Sequence, residues 1–120
     1  MLALLLLAAC GPAPATLTQV QADVFDNSCA FSTCHGSGGG AQGLSLDDGG
    51  SYAAIVGVPS ELAPDVNLVE PGDHEASFLW QKCANVGGIV GIAMPSGSSG
   101  LDADHLAELA SWIDNGALDD

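Results

Sequence analysis

Cys29, Cys34 and His35 fall within one short segment, Cys29-Ala-Phe-Ser-Thr-Cys34-His35-Gly36. Two thiols beside an imidazole can add to the two vinyl groups on a haem edge as thioethers, while the imidazole turns under the iron as proximal ligand. All three groups serve one porphyrin, so they must come from one stretch of chain. The usual Cys-x-x-Cys-His spacing does this in about one helical turn. Here four residues separate the cysteines, and the two extra ones fit the same role if Phe31 and Ser32, or their neighbours, bulge outward.

An electron-transferring haem needs a second ligand on its far face. Met94, followed by Pro95, offers a thioether; the only other methionine is Met1, which lies in the apolar leader. Met94 sits in a Gly-rich loop that can fold over a porphyrin. A lone methionine is more often a core side chain, and Met94 gains standing from the Cys-Cys-His segment before it. A His/Met pair would favour the ferrous state relative to two histidines.

Other chemistry competes for the same residues. Cys29, Cys34, His35 and Cys83 are donors that zinc accepts, but adjacent Cys34 and His35 would struggle to chelate one tetrahedral ion. Cys83 could form a disulfide with Cys29 or Cys34, which would remove a thioether site. That gives an alternative: a haem-free, disulfide-stabilised lipoprotein acting as a binding or structural module. His74 and His105 fall in the expected first turns of helices. The dipole disfavours an imidazolium there, so both are expected exposed and neutral. His105 would be a distal ligand only if Met94 were not. No Ser-His-acid spacing or phosphate loop is present, so the chain is not expected to be an enzyme.

The elements that must position these residues read as few short helices joined by long Gly-rich loops, a mostly α fold. Val20, Val24 and Phe25 have helical spacing over residues 18–30, with Thr18 as N-cap. Residues 36–50 form a loop. Residues 51–58 are a short helix capped by Ser51, or else a strand. A helix is expected over 73–84 with Asp73 as cap, and another over 102–115 with Asp102 as cap. Leu101 and Leu106 would staple the latter, and Gly116 would stop it. A cofactor pocket is expected to draw on Phe25, Leu44, Leu46, Ile55, Phe78, Leu79, Ile92, Leu106 and Trp112.

The 120 residues make one domain, with aromatics at only 5% and 16 glycines. Bulk for a dense core is scarce, and a planar apolar cofactor would supply some of it. Leu2 to Ala9 is too short to span a membrane and reads as the apolar part of a secretory signal. It ends in Leu7-Ala8-Ala9-Cys10, the pattern of a bacterial lipobox. Residues 1–9 are thus expected as a lipoprotein signal peptide, 10–18 as a lipidated N-terminus on Cys10 with a flexible tether, and 19–120 as the folded domain. The domain would be exported and lipid-anchored to a bacterial membrane, at the outer membrane or the periplasmic face. The net charge of −14, with Lys82 the only Lys or Arg, excludes nucleic-acid binding. It leaves either a solvating surface or steering toward a basic redox partner.

The order VFDNSCAFSTCHG, Gly-rich loop, SYAAIVGVPS, VEPGDHEASFLW, MPSG and a last helix with ASWIDNGA resembles the small cytochrome c domains of exported myxobacterial and planctomycete proteins. The resemblance runs from about Val20 to Gly116. It implies a class I cytochrome c fold in which Phe25 and Trp112 meet where the first and last helices cross. It further implies one covalent haem c on Cys29 and Cys34, with His35 and Met94 as the axial iron ligands. Three features depart from the pattern: the wider cysteine spacing, the additional Cys83, and Leu68 where such domains often carry an Arg that could pair with a haem propionate.

Overall fold

The computed structural model describes residues 13–30, 34–36 and 43–120. Thr16 starts the first helix. Its hydroxyl accepts from the Gln19 N–H, and its own N–H donates back to the Gln19 side chain, a reciprocal capping box. Helix α1 covers residues 17–28 as α-helical Leu17–Val20, π-helical Gln21–Phe25 and a final α turn, Asp26–Ser28. This register buries Val20, Val24 and Phe25 completely. It also buries the Gln21 amide, which donates to Asp26 and to the Leu46 carbonyl and accepts from the Ser51 hydroxyl. One polar side chain thereby pins α1 to the loop that follows and to the start of the next helix.

Helix α2 is Ser51–Ile55, α3 is Phe78–Ala84 and α4 is Ala103–Asp114. Between α2 and α3 the chain forms two isolated bridges, Val56 with Val69 and Pro59 with Asn67, and no longer strand occurs among the described residues. Helix α4 packs on both α1 and α3. The core gathers Val20, Val24, Phe25, Leu46, Ile55, Val69, Leu109, Trp112 and Ile113. Phe25 and Trp112 are its two largest members. The buried indole N–H of Trp112 finds the Leu118 carbonyl at 2.8 Å, so the ring is buried without an unmet donor.

The mostly α expectation stands, and the element bounds differ in instructive ways. The tether expected through residue 18 ends earlier. The Ala15 N–H donates to Ser111, the Leu17 N–H to Asp120, and Leu17 is buried, so the C-terminal region captures this segment into the domain. Thr16 therefore caps α1, and the Thr18 hydroxyl donates instead to the Asp120 carbonyl. Helix α3 begins at Phe78 rather than in the 73–76 segment. Asp73 holds only a local turn through the Ala76 N–H, and the Ser77 hydroxyl, which donates to the Asp73 carbonyl, accepts from the Glu70 N–H. Residues 51–58 are neither all helix nor all strand: α2 stops at Ile55 and Val56 turns extended to meet Val69. Helix α4 matches its expectation, with Asp102 accepting from the His105 N–H and Gly116 at φ +106 just beyond its end. The expected signal, residues 1–9, and Cys10 lie outside the described residues.

Candidate functional site

His35 is held on both sides by backbone. Its N–H donates to the Cys29 carbonyl at 3.1 Å, and its carbonyl accepts from the Leu46 N–H at 2.7 Å. The first bond draws the two ends of the widened cysteine spacing together. The outward bulge expected at Phe31 and Ser32 falls outside the described residues. The imidazole Nδ1 lies 3.1 Å from the Leu44 carbonyl oxygen. A carbonyl only accepts, so Nδ1 carries the proton, and Nε2 of the neutral ring keeps its lone pair. A bond of this kind fixes the orientation of an imidazole and leaves its other nitrogen able to ligate.

Met94 is placed by the end of α3. The last carbonyls of a helix lack partners within it. Here the Lys82 carbonyl accepts from the Met94 N–H at 2.9 Å and the Cys83 carbonyl from the Leu101 N–H at 2.8 Å. The start of α3 is used similarly. The Phe78 and Leu79 N–H groups donate to the Asn67 and Leu68 carbonyls, each at 2.9 Å, which sets Leu68 beside the helix.

These restraints converge on one narrow cleft, open to solvent. His35 and Met94 both line it, with Leu44, Leu62, Leu68, Phe78 and Leu79 forming its apolar walls. Ser60, Glu61 and Lys82 supply its polar groups. An apolar cleft with an imidazole lone pair and a thioether suits a haem.

Cys29 is buried, and burial followed by the neighbouring Cys34 charge pushes its thiol up to about 11. Cys83 is deeper, pushed up to about 12 by burial and then by Cys29, with Lys82 acting the other way. Cys29 and Cys83 both carry free thiols, so no disulfide joins them. Among the described residues no group of three or more His, Cys, Asp or Glu side chains is arranged to hold a metal ion.

Of the residues expected to form the pocket, Leu44, Phe78 and Leu79 do so. Phe25, Leu46, Ile55 and Trp112 belong to the core, where α4 packs on α1, rather than to the cleft wall. Leu106 is half-buried against that core, and Ile92 is 58% exposed. Leu62 and Lys82 are absent from the expected lining, and Leu68 is marked there only as the position where similar domains often carry an Arg. Leu62 and Leu68 lie in irregular chain with no periodicity to mark them, whereas Lys82 carried a signal as the single cation of the sequence.

The remaining histidines are paired with carboxylates. His74 precedes α3 instead of opening it. Its Nδ1 lies 2.8 Å from Asp114, and its ring meets Trp80 edge-on at 4.6 Å. His105 is in the first turn of α4 but bonds to the capping Asp102, which raises its pKa. The nearby carboxylate outweighs the helix dipole, contrary to the expected preference for a neutral ring. Neither His74 nor His105 lines the cleft.

No family model, curated protein or solved structure matches the chain. Among the described residues no helix is long and apolar enough to cross a membrane.

Proposed function

We propose that the protein is a monohaem c-type cytochrome that transfers electrons outside the cytoplasm, with a class I cytochrome c-like fold. The observation that carries this reading is the convergence of His35 and Met94, remote in sequence, on one apolar cleft. The protonation of His35 supports it, since the Nδ1 bond to Leu44 leaves Nε2 available. Cys29 and Cys34 would hold the haem covalently, and His35 and Met94 would be its axial ligands. Bound haem would supply one reversible electron at iron. The chain's own part is to fix the two ligands, exclude water with Leu44, Leu62, Leu68, Phe78 and Leu79, and present an acidic surface to a redox partner. No catalytic role is assigned. Cys10 would be lipidated and tie the domain to the outer membrane or the periplasmic face.

Production of the chain with a c-haem maturation system tests this reading. Covalent haem should survive a denaturing gel, and the reduced spectrum should show an α-band that His35→Ala abolishes. A pyridine haemochrome spectrum should report two saturated vinyl groups. A parent protein that emerges without covalent haem overturns the proposal.

A further inference from the structure

Lys82 is the only Lys or Arg in a chain with 15 Asp and Glu residues, yet it is only 5% exposed. A lysine is almost never this buried unless paired. Among the described residues the ion pairs are His74–Asp114 and His105–Asp102, so none of the carboxylates described there meets Lys82. The ammonium donates one hydrogen bond, to the Val90 carbonyl at 3.3 Å, and stands 5.7 Å from the Phe78 ring centroid. One carbonyl and one ring face are few partners for the ammonium of a side chain this covered.

The surroundings are built around that ammonium. Gly91 lies against it at φ +84, and a Cβ there would come within 2.8 Å of Nζ. Lys82 also lines the same cleft as His35 and Met94, and every other side chain lining that cleft is either neutral or the exposed Glu61. An apolar cleft whose one lysine has no carboxylate within ion-pair distance suits an occupant that is apolar over most of its surface and carries a carboxylate. Haem has that composition: a planar apolar ring with two propionates.

We propose that Lys82 is the carboxylate-binding residue of the cleft and pairs with a haem propionate. The assignment rests on the haem reading above. Lys82 acts as a positioning residue. It holds the haem by a charge-assisted hydrogen bond and leaves the two ligands to meet the iron.

The test uses holoprotein of the parent, Lys82→Met and Lys82→Arg. Methionine keeps the length and apolar stem, and the backbone carbonyl that holds Met94 is unchanged in both variants. Resonance Raman spectroscopy reads the propionate bending mode, and a redox titration reads the midpoint potential. Lys82→Met should shift the propionate mode and lower the potential, because loss of a nearby cation favours ferric iron. Lys82→Arg should restore both toward the parent. An unshifted propionate mode in Lys82→Met overturns the assignment, even if the potential falls. Equal loss of haem in both variants overturns it too, since shape rather than charge would then be at stake. A parent without covalent haem sinks the functional reading first, and is distinguishable because it needs no variant.

Discussion

Met94 and Lys82 are joined backbone to backbone, the Met94 N–H donating to the Lys82 carbonyl at 2.9 Å. The end of α3 therefore sets where the Met94 thioether stands over the cleft, and the same residue contributes its ammonium to the cleft wall. A loop that is Gly-rich and irregular along residues 85–100 is thus tied to a helix at the point where Met94 joins the cleft wall. Replacing the side chain of Met94 should leave this tie intact, because the bond is made by backbone.

Met94→His in the holoprotein should therefore keep the fold and the covalent haem while exchanging a thioether for an imidazole. The midpoint potential should fall, by a sizeable part of the ~0.8 V range over which axial ligands set haem potentials. Spectroelectrochemical titration checks this. An unchanged potential would mean that Met94 is not the distal ligand.

Gly100 stands at φ +121, and a Cβ there would run into the Cys83 carbonyl oxygen, the acceptor that holds Leu101. The oxygen is backbone and the Cβ is fixed to the backbone by its bond to Cα, so neither can swing aside. Gly100→Ala should cost at least about 1–3 kcal/mol of stability from backbone strain alone. Urea unfolding of parent and variant measures it. In the holoprotein the same change should weaken ligation by Met94, because the loop that carries it is displaced.

Glu108 on α4 has its carboxyl pushed up to about 7, first by burial and then by a hydrogen bond with Asp23 of α1 and by that residue's charge. The folded state then binds more protons than the unfolded chain between the ordinary carboxylate pKa and about 7. Stability should fall as pH rises through that window and level off above it. Glu108→Gln should flatten this slope, by an amount of the order of 1 kcal/mol after solvent screening. Urea midpoints near pH 5 and near pH 8 give the comparison.

Cys29 and Cys83, with thiols at about 11 and about 12, carry almost no thiolate near neutral pH. Both should resist iodoacetamide in the folded haem-free chain and react promptly in urea, as followed by mass spectrometry. Haem attachment should then require the chain before it folds. Cys83→Ala should leave covalent haem intact and cost about 1 kcal/mol or more for the small cavity left behind.

Local chemistry was legible where it needed only neighbours in the chain. Helix α4 could be read from its Asp102 cap, its periodic Leu109 and Ile113 and its Gly116 stop, because a helix with a buried stripe shows its period and its ends. The cysteine-histidine segment and the single internal methionine could be read as candidates for the same reason. The start of α3 could not. Asp73 reads as a cap, but the distant Asp114 carboxylate takes the His74 ring and N–H, and the helix forms later, where Asn67 and Leu68 accept its first N–H groups.

The residue types at the site were determined by the sequence alone: two thiols and an imidazole in one segment, one thioether downstream, one cation in an acidic chain. Which of them share a cleft was decided only by the tertiary structure. Met94 reaches the cleft through a carbonyl that α3 leaves unpaired, and Leu62 and Leu68 reach it through irregular chain. Lys82, legible only as a charge, becomes a buried wall of that cleft. Propensity and spacing act over a few residues, whereas burial depends on contacts between segments that are distant in sequence.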